Sequence, residues 1–128
     1  MQIQTKLLSG PDKENQVLMV AQGVLNTRGL EHILREISAA AIRHLNCKVL
    51  IDLVDADCRI ERKEIDGLFH EPRPDLWPKE CKTALVSSLE HEQYRRLSVV
   101  STTLVRHGFR IAVFRDAKAA VGWLTDGS

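Results

Sequence analysis

Two hydrophobic periods alternate along this sequence, and that alternation limits what the chain can fold into. Short, nearly continuous apolar runs give way to longer stretches in which apolar residues recur every three or four positions. Val17-Leu18-Met19-Val20-Ala21 is the first buried-strand run, and Gly23 is expected to end it. Leu30, Ile33, Leu34, Ile37, Ala41 and Leu45 follow at helical spacing, with Arg28, Glu31, Arg35, Glu36 and Arg43 on the other face. Asn26 or Thr27 is placed to cap that helix.

The pattern then repeats. Cys47 to Val54 reads as a strand covered on both faces. Asp55-Ala56-Asp57 reads as the cap of a short helix through about Phe69, with Ile60, Glu64, Ile65 and Leu68 as its spine. Thr83 to Ser87 is a strand, and Glu90 to about His107 a helix that Gly108 can end. Phe109 to Phe114 is the last strand. Asp116 caps a terminal helix that buries Ala119, Ala120, Trp123 and Leu124. Residues 3–8 add a strand in front, separated by Gly10-Pro11-Asp12 and paired with the next as a hairpin. The expected fold is α/β, with a mixed, mostly parallel five-stranded sheet and about four helices. A length of 128 residues fits one domain over 1–128.

Charge and composition exclude several functions. Eighteen Lys and Arg balance seventeen Asp and Glu, so the chain carries no charged tail for nucleic acid. The longest apolar run has five residues, far below the roughly 20 that a transmembrane span needs. Met1 to Lys6 has no signal-peptide core. Cys47, Cys58 and Cys81 form no CxxC pair, which reads as free thiols in a reducing, cytoplasmic setting. The five histidines contain no i,i+4 pair, and no glycine-rich phosphate loop is present. No metal and no cofactor are expected.

The element order resembles that of the STAS domain, the fold of the bacterial anti-sigma factor antagonists. Gly23-Val24-Leu25 before the first long helix and the hydrophobic-Asp-hydrophobic step in Lys48-Val49-Leu50-Ile51-Asp52-Leu53 strengthen the likeness. The ending from Phe109 to Asp116, with Ala119-Ala120 and Trp123-Leu124, is similar to that of small bacterial STAS-like proteins, which share a distant likeness with lipid-carrying SEC14-type domains. The resemblance implies a binding module. In the antagonists a phosphorylatable serine opens the second helix. Here that junction reads Val54-Asp55-Ala56-Asp57-Cys58, and no Ser or Thr occurs between Ser38 and Thr83. Asp57 is then either a helix cap or a permanent mimic of the phosphorylated serine.

Ligands of open α/β sheets bind beyond the carboxyl ends of the strands. That rule gathers Asn26, Asp55, Asp57, Cys58, Ser87 and His91 into one candidate site, with Ser88, Glu90 and Arg115 beside them. Ser87 or Cys58 with His91 would make a small hydrolase, although the Gly-x-Ser-x-Gly elbow is missing. Three of the four prolines, Pro72, Pro74 and Pro78, flank Trp77, so Phe69 and Trp77 form a candidate lid over a small apolar ligand. The acid-rich stretch Asp52–Asp66 and the acid-free stretch Arg95–Arg115 read as oppositely charged faces for a protein partner. The leading expectation is a non-enzymatic interaction module without the phosphoserine switch that self-associates as a homodimer. A carrier of a lipid-like ligand comes second and a hydrolase third.

Overall fold

In the computed structural model, which describes residues 2–8, 16–43, 48–70 and 81–125, the two periods become one sheet with helices on both faces. The chain order is β1 (Gln2–Leu8), β2 (Gln16–Leu25), α1 (Thr27–Arg43), β3 (Lys48–Asp52) and β4 (Ala56–Cys58). It continues with α2 (Arg62–Leu68), β5 (Lys82–Val86), α3 (His91–Arg106), β6 (Arg110–Phe114) and α4 (Ala117–Thr125). β1 pairs antiparallel with β2. The β2–β3, β3–β5 and β5–β6 pairs are parallel, which gives the order β1-β2-β3-β5-β6. Parallel neighbours need crossover connections, and α1, α2 and α3 supply them.

Alternate strand residues serve opposite faces. Met19, Val49, Ile51 and Leu85 pack with Leu34 and Ile37 of α1, Ile65 of α2, and Leu97 and Leu104 of α3. Each such side chain contributes about 1.5–3 kcal/mol through burial. The intervening Ala84 and Val86 face the other way and meet Ala120 and Leu124 of α4, with Leu50, Phe114 and Trp123 packed alongside. Lys82 pins α4 from below. Its buried ammonium donates to the Trp123 carbonyl and lies 4.4 Å over the Trp123 ring. A cation at a helix C-terminus also meets the negative end of the helix dipole.

Two expectations change. The sheet has six strands rather than five, because β4 occupies residues read as a helix cap. Ala56, Cys58 and Ile60 are buried while Asp57 and Arg59 are not, a period of two that belongs to a strand. α2 starts only at Arg62, where Glu61 and Glu64 close a capping box, so neither Asp55 nor Asp57 caps it. β2 also continues through Gly23 instead of stopping there. Its first half pairs with β3, and Gly23, Val24 and Leu25 pair with Ala56, Asp57 and Cys58 of β4. Gly23 has φ 101°, a left-handed value, and its N–H reaches the Asp55 carbonyl at 3.3 Å.

Other local signals hold. Asn26 caps α1 by accepting the Gly29 N–H at 3.0 Å, and Asp116 caps α4 through Ala119 at 3.0 Å. Gly108, φ 97°, ends α3, with the Phe109 N–H returning to the Leu104 carbonyl at 3.1 Å. The cysteines differ from expectation. Cys81 is disulfide-bonded, and Cys58 is free and buried, which overturns the reading of three free thiols. No helix among the described residues is long and apolar enough to cross a membrane.

Replacing Gly23 with Ala is expected to cost about 1–2 kcal/mol, the penalty for a Cβ in left-handed backbone. Gly122 lies inside α4, where an added Cβ meets nothing within 4 Å. Gly122→Ala is expected to stabilise the fold by about 0.5–1 kcal/mol. Urea denaturation of the two variants reads both signs.

Candidate functional site

The carboxyl ends of β2, β3, β5 and β6 lie at one end of the sheet, where α1, α3 and α4 begin. Backbone bonds extend the sheet into the loops there. The Leu53 N–H donates to the Val86 carbonyl at 2.8 Å, and the Ser87 N–H to the Phe114 carbonyl at 2.8 Å. Three aliphatic side chains stand exposed at this end: Val24 at 47%, Val54 at 45% and Leu89 at 82%. Exposed Asp55, Glu90 and Asp116 accompany them. Arg115 is turned aside, since it donates to His91 Nδ1 at 3.1 Å and stacks 4.3 Å over the Tyr94 ring.

β4 is bound on two edges by different means. Along β2 it makes ordinary strand pairing. On its other edge the Cys58 N–H donates to Gln93 Oε1 at 2.9 Å, and the Cys58 carbonyl accepts from Arg96 at 3.2 Å. Two side chains of α3 therefore take the place of a neighbouring strand. Gln93 also donates to Asp57 Oδ1 at 2.9 Å, and Arg59 Nε donates to Asp57 Oδ2 at 2.8 Å. Thr27 Oγ1 donates to Glu64 Oε2 at 2.9 Å and ties the start of α1 to α2.

The carboxylates here are stabilised in their charged form. Hydrogen bonds from Arg59, and next from Gln93, hold Asp57 below its ordinary value. His107, 2.8 Å from Asp66, does the same to that residue. Arg95, with help from Arg96, lowers Glu92 to about 2. Burial pushes the Cys58 thiol up. A raised thiol pKa lowers the thiolate fraction, so Cys58 is poorly suited to nucleophilic attack.

The expected site residues divide accordingly. Asp57 and Cys58 come together through Gln93, a residue the sequence reading did not single out. The sequence shows only that Gln93, Arg96 and Leu97 share one helical face through i,i+3 and i,i+4 spacing, not what that face meets. Asn26 is occupied as the cap of α1. Ser87 is buried and donates to the Ser88 carbonyl at 3.0 Å, so it does not serve as a cap. Glu90 holds the N-cap position of α3 instead. Among the described residues neither Ser87 nor Cys58 is hydrogen-bonded to His91, whose ring serves Arg115. Phe69 stacks on His107 with centroids 4.6 Å apart and meets Phe109 edge-on at 5.5 Å. Trp77, the other half of the expected lid, lies outside the described residues.

No family model matches the chain, and no curated protein matches it. One similar solved structure is an uncharacterized protein of the DUF3478 family with a SpoIIAA-like fold, from Shewanella loihica PV-4. It aligns with 95% of this chain and 93% of its own at 18% identity and a TM-score of 0.55. The fold is STAS-like. The anti-sigma factor antagonist SpoIIAA in its unphosphorylated form aligns over 98% of this chain and 99% of its own, at 12% identity and a TM-score of 0.49. Identities this low speak to fold and not to activity. Within this STAS-like fold, the residue expected as a phosphoserine mimic is not at a helix start. Asp57 lies inside β4 with Arg59 and Gln93 on its two oxygens.

Two outcomes follow from this geometry. Gln93→Leu removes the acceptor for the Cys58 N–H and is expected to cost about 1–3 kcal/mol in urea denaturation. The depressed carboxylates set a pH dependence. A carboxylate with a lower pKa folded than unfolded contributes stability above its unfolded value and loses it as pH falls toward the folded one. The unfolding midpoint is therefore expected to drop as pH falls from about 4.3, the ordinary Glu value, toward 2, the value for Glu92. Glu92→Gln should make that drop shallower.

Proposed function

We propose that this STAS-like chain is a regulatory or interaction module that binds another protein through the strand-end face, without a phosphoserine switch. The observation that carries this reading is the exposure of Val24, Val54 and Leu89 at the same end of three adjacent strands. Leu89 in particular is almost fully in water, where a lone leucine contributes nothing to the fold. Exposed apolar groups rimmed by polar ones are typical of protein contact surfaces. The rim here is mainly acidic, through Asp55, Glu90 and Asp116. A complementary partner presents apolar side chains among basic ones.

The hydrolase reading gains no support, since among the described residues neither Ser87 nor Cys58 is hydrogen-bonded to His91. The lid reading draws no support from Phe69, whose ring packs against His107 and Phe109.

Leu89→Glu tests the proposal. Its side chain is exposed, so the variant should fold as the parent does by circular dichroism. Affinity capture from the native cells, with cross-links mapped to residues 87–91, is expected to lose a specific protein by about tenfold or more in the variant. Native mass spectrometry of the purified chain adds a direct reading. A dimer split by Leu89→Glu identifies the partner as a second copy. Unchanged capture, or a co-purified lipid-sized mass, overturns the proposal.

A further inference from the structure

Away from the strand ends, a groove runs between α2 and α3. Its upper part, about 420 Å³, is lined by Arg59, Arg62, Arg95, Arg96 and Val99 among others. A neighbouring hollow of about 310 Å³ shares Arg62, Arg95 and Val99 and adds Arg106. Five guanidinium groups thus line the two hollows against one carboxylate, Glu61, which pairs with Lys63 at 3.6 Å.

These arginines are not all satisfied from within. Arg59 is tied to Asp57, and Arg95 and Arg96 share Glu92. Arg62 and Arg106 form no ion pair among the described residues. Asp66 lies within the electrostatic reach of both, but its carboxylate is already held by His107 at 2.8 Å. The two arginines left over lie on different helices, Arg62 at the start of α2 and Arg106 at the end of α3, so the excess charge is spread along the groove. Arg95 and Arg106 are eleven residues apart on one helix, which is about 16 Å of axial rise. An extended chain spans that with about five residues. Val99, 37% exposed, sits between them as an apolar contact.

We infer that this groove binds an extended acidic segment of a partner protein, with its carboxylates on Arg62 and Arg106 and one apolar side chain on Val99. Guanidinium groups favour this occupant because each can hold a carboxylate bidentately. The hydroxyls along this stretch of α3 are already spent: Ser98 donates to the Tyr94 carbonyl and Thr102 to the Ser98 carbonyl. Recognition therefore falls to the arginines. This surface is separate from the strand-end face and does not depend on it.

The probe is a fluorescein-labelled nonapeptide of alternating glutamate and serine with a central leucine, titrated by fluorescence anisotropy. Saturable binding is expected, weakening severalfold as NaCl rises from about 50 to about 300 mM. Arg62→Glu with Arg106→Glu is expected to weaken it by about tenfold or more. Circular dichroism checks that this double variant is folded. Leu89→Glu should leave peptide binding unchanged, which separates this groove from the strand-end reading. Failure to saturate, or a double variant that binds like the parent, overturns the inference. Displacement of the peptide by inorganic tripolyphosphate at lower concentration than by unlabelled peptide also overturns it, in favour of a phosphate site.

Discussion

A single backbone position organises the strand-end region of this molecule. Cys58 offers its N–H and its carbonyl to the side of β4 that faces away from β2, and no strand lies there to receive them. Gln93 and Arg96 of α3 do so instead, at 2.9 and 3.2 Å. A three-residue strand left with an open edge would be both weakly held and available to foreign strands. Sealing it with helix side chains fixes where α3 begins. That in turn fixes the 87–90 loop, the exposed Leu89 and the stacked Arg115 and Tyr94. Gly23 is the other requirement, since β2 can reach β4 only after the chain passes through a left-handed residue.

Charge is distributed by the same contact. The acid-rich stretch 52–66 and the acid-free stretch 95–115 do not form two separate faces, as their sequence separation implies. They meet. Asp57 lies 4.0 Å from Arg96, and Asp66 lies 2.8 Å from His107. Pairing consumes part of each bias and leaves two remnants. Acidic groups remain around the strand ends, and Arg62 and Arg106 remain in the groove between α2 and α3. A chain with net charge +1 can thus present two surfaces of opposite character.

The fold was largely legible from hydrophobic periodicity, because strands and helices bury their faces at different intervals. The caps at Asn26 and Asp116 and the stop at Gly108 were legible too, since each depends on one residue's local chemistry. The junction after β3 was not. Asp55-Ala56-Asp57 looks like a cap by composition, yet its neighbours alternate in burial and pair with the far end of β2. The alternation of Ala56, Cys58 and Ile60 with Asp57 and Arg59 is a strand signal only five residues long, and the cap-forming aspartates mask it. The proposed strand-end site takes its position from the rule that places ligands at strand ends. Its working contacts were hidden because Gln93 and Arg96 act across 35 and 38 residues of sequence. Exposure of Leu89 was equally invisible, since an apolar residue beside a strand reads as core.

Amide hydrogen exchange at Cys58 tests the central claim most directly. Its N–H has no strand partner, so protection must come from Gln93. Exchange as slow as at the neighbouring strand amides is expected in the parent chain, together with selective loss of that protection in Gln93→Leu. A Cys58 amide that exchanges as fast as the exposed loops in the parent chain, or that stays protected in the variant, would contradict it.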